Sequence, residues 1–213
     1  MTEIRCARKG EEESLMSLWA TVFGDDRDCI LSFFNTLYAP ERAFVIEADS
    51  RIVSAAYVIP FGEVRYIYAV ATHPDYRRRG YGKAVTLAAS EGKPAYLCPA
   101  SEELRTWSAR ERGAVTVSCR PEFDFPAALR PISAGDFSAR REALLSGIPH
   151  AAYSPDILRF FEESGGTFFE TENGVCAVED GAVRELLPCD DGTKPFIMGL
   201  NGAPSLYWGL VLE

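Results

Sequence analysis

Three consecutive arginines lie where strand-like sequence gives way to helix-like sequence, in Arg77-Arg78-Arg79-Gly80-Tyr81-Gly82-Lys83. No other stretch constrains the chain as much. Upstream, Val64-Arg65-Tyr66-Ile67-Tyr68-Ala69-Val70-Ala71-Thr72 is rich in β-branched and aromatic residues and predicts a strand. Downstream, Lys83 to Glu91 predicts a helix closed by Gly92. Two glycines at such a turn let the backbone come close to a ligand, because neither carries a Cβ. The N–H groups of the helix's first turn then point at that ligand, and with four cationic side chains alongside it reads as a phosphate. The nucleotide P-loop is excluded, because Lys83 is followed by Ala84 and Arg77 stands where the first glycine belongs. The dinucleotide fingerprint is excluded as well, since its third glycine would fall at Val85.

What remains is R-x-x-G-x-G, preceded by Val70-Ala71-Thr72-His73-Pro74-Asp75-Tyr76. This run resembles the acetyl-CoA motif of the GNAT superfamily of acyltransferases. The expected elements extend the resemblance over about the first 120 residues. They are a strand at Ile4–Arg8, helices at Glu11–Phe23 and Asp28–Tyr38, and strands at Ala43–Glu47 and Ile52–Ile59. The motif strand and helix follow, then a strand at Ala95–Cys98, a helix at Ser101–Arg112 and a strand at Ala114–Ser118. The resemblance implies an α/β (α+β) fold with a mixed central sheet flanked by helices. It implies acetyl-CoA as co-substrate, held by Arg77, Arg78, Arg79, Gly80, Tyr81, Gly82 and Lys83, with the pantetheine arm pairing to the main chain of Val70 and Thr72. The Val70 N–H would polarise the thioester carbonyl.

The remaining residues repeat part of this pattern. Leu129-Arg130 followed by Asp136–Leu145 echoes Ile4-Arg5 followed by the Glu11 helix, and Ile157–Phe161 echoes Ile30–Phe34. Thr167–Thr171 and Val175–Glu179 echo the strand pair around Asp49. A diverged internal duplication therefore predicts a GNAT acetyl-CoA-binding domain at 1–122 and a diverged GNAT-like lobe at 123–213. Leu186-Leu187-Pro188-Cys189-Asp190-Asp191 stands where the second copy's phosphate turn would be, so that lobe is expected to bind no cofactor.

Residues 1–120 carry 16 Lys+Arg against 16 Asp+Glu, while residues 121–213 carry 6 against 15. The net charge of −9 thus belongs to the second half, which disfavours nucleic acid as a partner. The excess reads either as ordinary solubility charge or as steering of a cationic amine acceptor. No apolar run has the length of a membrane helix, and the polar start is unlike a signal peptide. The six cysteines are scattered, mostly within apolar segments, and only His73 and His150 are available as imidazole ligands. Reduced cytoplasmic thiols without a metal site are the expectation.

Thioester aminolysis requires an amine to lose a proton and the CoA thiolate to gain one. Many GNAT enzymes supply the acid from a tyrosine on the late helix. Here the matching position is Ser108 when counted from Leu104, or Ala109 when counted back from Gly113. Ser108, Tyr68 and Glu63 are the weak catalytic candidates, with Tyr66 and Tyr207 as further phenols. Tyr66 and Tyr68 read equally well as packing residues of a half-buried strand. Two functions follow from the resemblance. One is an N-acetyltransferase acting on a primary amine of a small molecule or peptide. The other is a catalytically silent acetyl-CoA-binding regulatory or interaction protein of GNAT ancestry. The acceptor and the oligomeric state are not specified by the sequence.

Overall fold

The computed structural model describes residues 3–62, 64–99, 101, 103, 104, 106, 115, 116, 124–188, 198–200, 206, 207, 209 and 210. It is a mixed α/β structure. The elements run β1 (Ile4–Cys6), α1 (Glu12–Phe23), α2 (Arg27–Thr36), β2 (Ala43–Ala48), β3 (Arg51–Phe61), β4 (Val64–Thr72), α3 (Tyr81–Ser90), β5 (Ala95–Leu97) and β6 (Val115–Thr116). They continue with β7 (Arg130–Pro131), α4 (Ala134–Leu144), α5 (Pro155–Glu163), β8 (Thr167–Glu170), β9 (Val175–Glu179), β10 (Ala182–Leu187) and β11 (Met198–Leu200). One sheet has the order β1-β2-β3-β4-β5-β11-β6 and the other β10-β9-β8-β7. Two compact units result, Met1–Val115 with Met198–Ala203, and Thr116–Ile197 with Pro204–Glu213. A short return strand, β11, thus pairs antiparallel with β5 inside the first sheet, which no local pattern in the sequence announced.

In the first unit the alternation of β3 and β4 divides the core between two sheet faces. Tyr57 and Tyr68, paired across the two strands, face an aromatic cluster built on Trp19 and Phe33 of α1 and α2. Phe44, Ile46, Val53, Ala56, Val58 and Ile67 pack on the other face against Val85 and Ala89 of α3. The helices are stopped by identifiable residues. Gly24 ends α1 in a left-handed conformation. Asp26 starts α2 by accepting from the Cys29 N–H, as an N-cap should. The α3 helix ends at Ser90 with Glu91 itself left-handed, one residue before the expected Gly92. Cys6 and Cys29 are exposed rather than embedded, whereas Cys176 is buried.

The second unit starts with the same elements in the same order, β-α-α-β-β-β, and its four strands pair in the same antiparallel succession as β1 to β4. The register matches too: Arg5 opposes Val45 and Cys6 opposes Phe44, as Arg130 opposes Glu170 and Pro131 opposes Phe169.

Candidate functional site: an open strand edge and a cationic turn

The β4 strand pairs with β3 along most of its length but with β5 only at Arg65–Ala95 and Tyr66–Tyr96. The pairing stops there, and among the described residues Ile67 to Thr72 of β4 have no β5 partner in the register. The near end is closed by Arg65. Its N–H donates to the Pro94 carbonyl, Nη1 donates to the Ala89 carbonyl and Nη2 bonds Glu91 at 2.8 Å. A cation there complements the carbonyl end of α3, so it fixes that helix by its C-terminus and leaves the N-terminus at the open end.

A bulge shapes the open edge. The β3 residues Ala55 and Tyr57 oppose Ala71 and Tyr68, so Ala69 and Val70 together face Ala56. Ala69 takes a positive φ of 45°, a conformation an L-residue adopts only when its surroundings enforce it. The bulge includes Val70, the residue whose N–H the family resemblance implies as the carbonyl-polarising donor. Farther on, the Ser54 hydroxyl donates to the Ala71 carbonyl and lies 2.9 Å from the Thr72 hydroxyl. This holds the strand end against β3 rather than across the gap.

The chain then crosses a 3-10 turn, Pro74–Tyr76, and enters the cationic segment. Arg78 (φ 64°) and Gly80 (φ 80°) are both left-handed. A Cβ built on Gly80 meets nothing within 4 Å, so it would project into open space where a ligand would lie. Glycine suits this position for its left-handed backbone conformation. Gly80 is the N-cap of α3 and offers no side-chain cap. Arg77 Nε donates to the Thr72 carbonyl at 3.3 Å and Arg79 Nη2 donates to the Asp75 carbonyl at 3.2 Å. Both acceptors are neutral, so these bonds orient the guanidinium groups without cancelling their charge. Arg77, Arg78, Arg79 and Gly80 are exposed, and Tyr81, Gly82 and Lys83 are half-buried.

One contact here escaped the sequence reading. Tyr76, only 7% exposed, donates its hydroxyl to Asp49 Oδ2 at 2.5 Å. The carboxylate that accepts this proton, together with burial, holds the phenol above its ordinary range, against an opposing effect of Arg51. The Arg79 and Arg51 guanidinium carbons lie 4.8 and 4.9 Å from the Tyr76 ring centroid.

The catalytic candidates fare differently. Tyr68 is buried against Trp19 and Phe33, with ring centroids 5.7 and 5.4 Å away, and Tyr66 is buried between Phe61 and Tyr68. Both rings pack in the core of the sheet. Tyr207 is buried in the second unit, with its N–H on the Pro149 carbonyl. Glu63 and Ser108 lie outside the described residues, as does most of the expected Ser101–Arg112 helix. A cavity of about 570 Å³ is present at the opposite end of the sheet, lined by Arg42, Phe44, Val58, Arg65 and Glu91 among others. It abuts the closed end of the β4–β5 pair and is not the gap beside Val70. Among the described residues no group of acidic, histidine and cysteine side chains is arranged to hold a metal, and no helix is long and apolar enough to cross a membrane.

Comparison with known proteins agrees with this geometry. Residues 3–91 match the model of the acetyltransferase (GNAT) domain. No curated protein matches the chain in sequence. Among solved structures, a GCN5-related N-acetyltransferase from Kribbella flavida superposes with a TM-score of 0.62 at 18% identity, covering 91% of this chain and 58% of that one. The GCN5-related N-acetyltransferase from Anabaena variabilis gives a TM-score of 0.63 at 13% identity, covering 87% and 58%. A protein from Pyrococcus horikoshii described as an acetyltransferase gives 0.59 at 16% identity, covering 85% and 69%. At these identities the likeness is one of fold, and this chain spans little more than half the length of the first two. The end of the β4–β5 pairing, the glycine turn and the match over residues 3–91 agree: this stretch of the chain is similar to a GNAT acetyltransferase domain.

Proposed function

We propose that the protein is an acetyl-CoA-dependent N-acyltransferase that moves an acetyl group to a primary amine of a small molecule or peptide. The observation that carries this reading is the β4–β5 opening, which leads from the bulge at Ala69–Val70 to the left-handed turn at Arg78–Gly80. The turn's main chain and the first residues of α3 take the pyrophosphate, with Arg77, Arg78, Arg79 and Lys83 supplying charge around Gly80, Tyr81 and Gly82. The pantetheine arm lies in the gap and pairs with Val70 and Thr72 as an added strand would. CoA supplies the thioester. The chain's contribution is to align the amine with it and to place the Val70 N–H at the carbonyl oxygen. The amine nitrogen bonds to the carbonyl carbon, the C–S bond breaks, the nitrogen gives up a proton and the departing sulfur takes one.

With Tyr66 and Tyr68 packed in the core, water is the proton donor we favour, with Ser108 as at most a minor contributor. General acid catalysis typically contributes about 10²–10⁴-fold, so its absence slows turnover without preventing it. The same burial supports the second reading, a protein that binds acetyl-CoA without turning it over. Release of free CoA thiol with a panel of amines separates the two. Turnover with any amine supports the transferase, and binding without turnover across the panel supports the silent form. The scattered cysteines, with no C-x-x-C spacing, are in keeping with a reducing, cytoplasmic setting.

We also read the second unit, from about residue 123, as a diverged copy of the first half of the GNAT domain. The shared element order, pairing and register support this. It is proposed to lack a cofactor site, since Leu186 and Leu187 finish β10 with no R-x-x-G-x-G after them. Its acidic excess suits a cationic acceptor.

A further inference from the structure

We infer that Tyr76 is a positioning residue for the cofactor, fixing the Arg79 guanidinium beside the phosphate turn through a latch to the Asp49–Arg51 hairpin. This rests on the reading that the turn takes the phosphates of CoA. Tyr76 belongs at once to the core and to the turn. Its ring packs in the cluster of Phe44, Val53 and Val85 under α3, while its hydroxyl reaches the tip of the β2–β3 hairpin at Asp49. That tip is a tight reversal, with Asp49 and Ser50 both at positive φ, so the acceptor is itself held in place. Arg79 lies on the outer surface of the ring and is directed a second time by the Asp75 carbonyl. An exposed arginine ordinarily loses much rotamer freedom when it engages a phosphate. One already laid on an aromatic face and bonded at Nη2 loses less, which favours binding through preorganisation. Arg51 reaches the same ring from the first residue of β3, so a strand outside the R-x-x-G-x-G motif contributes to the surface around the turn.

The test is a double-mutant cycle on the full chain, read as the dissociation constant for CoA by calorimetric titration. Tyr76→Leu and Arg79→Ala are each expected to weaken CoA about tenfold, the size of losing one charge-assisted hydrogen bond. Because Tyr76 acts through Arg79, the double variant should be no weaker than either single one. Tyr76→Phe keeps the ring under Arg79 and should recover most of the affinity. Asp49→Asn should weaken CoA by a small factor that disappears in the Arg79→Ala background. In turnover the losses belong in KM for acetyl-CoA, with kcat unchanged, a split that general damage to the fold would not produce. The inference is overturned if Tyr76→Leu binds CoA like the parent, or if its loss adds in full to that of Arg79→Ala. Should Tyr76→Leu fail to fold, Asp49→Asn decides, and parental affinity or a loss that persists in Arg79→Ala overturns the latch. A parent chain with no affinity for CoA overturns the site reading and this inference together. A parent that binds CoA while the Tyr76 variants change nothing overturns this inference alone.

Discussion

The two units share a chain path and differ in what fills it, most plainly where the first helix meets the last two strands. In the first unit Trp19, two turns into α1, packs against Tyr68 of β4 and donates its indole N–H to Asp25, the residue before the α2 N-cap, at 2.7 Å. In the second unit Arg141 lies at the same distance past the N-cap of α4. Its Nε bonds Glu185 of β10 at 2.8 Å, and its guanidinium lies 3.7 Å from the ring centroid of Tyr153, the residue before the α5 N-cap. Glu185 stands where Tyr68 does in the ladder: Ala43, Tyr57 and Tyr68 align across their sheet as Phe168, Ala177 and Glu185 do across theirs. Where the first unit has an aromatic hub, the second has a fully buried ion pair. The strand bulge has moved as well. It follows Tyr68 in β4, at Ala69–Val70, but precedes Glu185 in β10, at Arg184. Only in the first does the bulge follow the hub residue, on the way to the Arg78–Gly80 turn. The fold fixes where the hub and the bulge can sit, and the residues there decide whether an edge is opened for a ligand.

The largest expected effect bears on that edge. Gly80→Val should abolish CoA binding, because valine resists φ near +80° and its side chain would occupy the ligand's approach. Calorimetric titration of the parent should give one CoA per chain, all of it lost in this variant. Two CoA per chain, or unchanged affinity, would break the contrast between an open and a closed unit.

Next in size is the ion pair. Arg141→Leu strands the Glu185 carboxylate in the core and should destabilise the second unit by about 3–5 kcal/mol. Replacing both partners by leucine should recover most of that loss, since similar buried pairs exchanged for apolar residues are often neutral or stabilising by about 1–4 kcal/mol. Denaturant midpoints of parent, single and double variants measure it. A double variant as unstable as the single one would mean that the pair is not the energetic counterpart of the Trp19–Tyr68 contact.

A smaller effect is expected from exchanging ring positions. Ala43 is fully buried beside Tyr57, whereas the second unit has Phe168 beside Ala177. Ala43→Phe alone overpacks this row and should cost about 1–3 kcal/mol. Ala43→Phe with Tyr57→Ala copies the other unit's arrangement and should restore part of the loss. If the pair adds like two independent lesions, the rows are not equivalent.

How much of this could be read from the sequence depended on how local each signal was. The β4 strand, the glycine turn and α3 were legible because period, β-branching and missing Cβ atoms act within a few residues. The helices of the second unit were legible because apolar spacing marks Asp136–Leu145 and Ile157–Phe161. Tyr76 was seen only as part of the motif, since its partners Asp49 and Arg51 come from a hairpin closed by another strand. Arg141 was passed over because an arginine on an amphipathic helix normally faces water. The available clue was its place, one turn after Phe137 and one before Leu145, both fully or almost fully buried. The cysteines read as mostly within apolar segments, yet Cys6 lies on a short edge strand that is largely exposed and Cys29 lies on the exposed side of α2.

The smallest effect concerns the thiol beside the ion pair. Cys176 opposes Phe169 in the second unit as Ala56 opposes Phe44 in the first. Burial, followed by the nearby Glu185 charge, raises the thiol from 9.0 to about 11. The folded state therefore keeps its proton in a window where the unfolded chain has lost it. Stability linked to this group is fully present below about pH 9 and falls as pH rises from there to about 11, because in that interval the folded state binds more protons. Lysines and tyrosines titrate nearby, so the parent alone does not isolate the effect. Cys176→Ala, which installs the first unit's residue, does. The parent's denaturation midpoint should fall more steeply than the variant's over that interval, and the two should run parallel below it. Alkylation at pH 8 gives an independent reading: Cys6 and Cys29 should be modified well before Cys176, since the thiolate is the reactive form and those two are exposed whereas Cys176 is buried. Equal labelling of Cys176, or parallel pH profiles throughout, would mean that the second unit's core admits solvent at this row, and the likeness of the two sheets would stop at their topology.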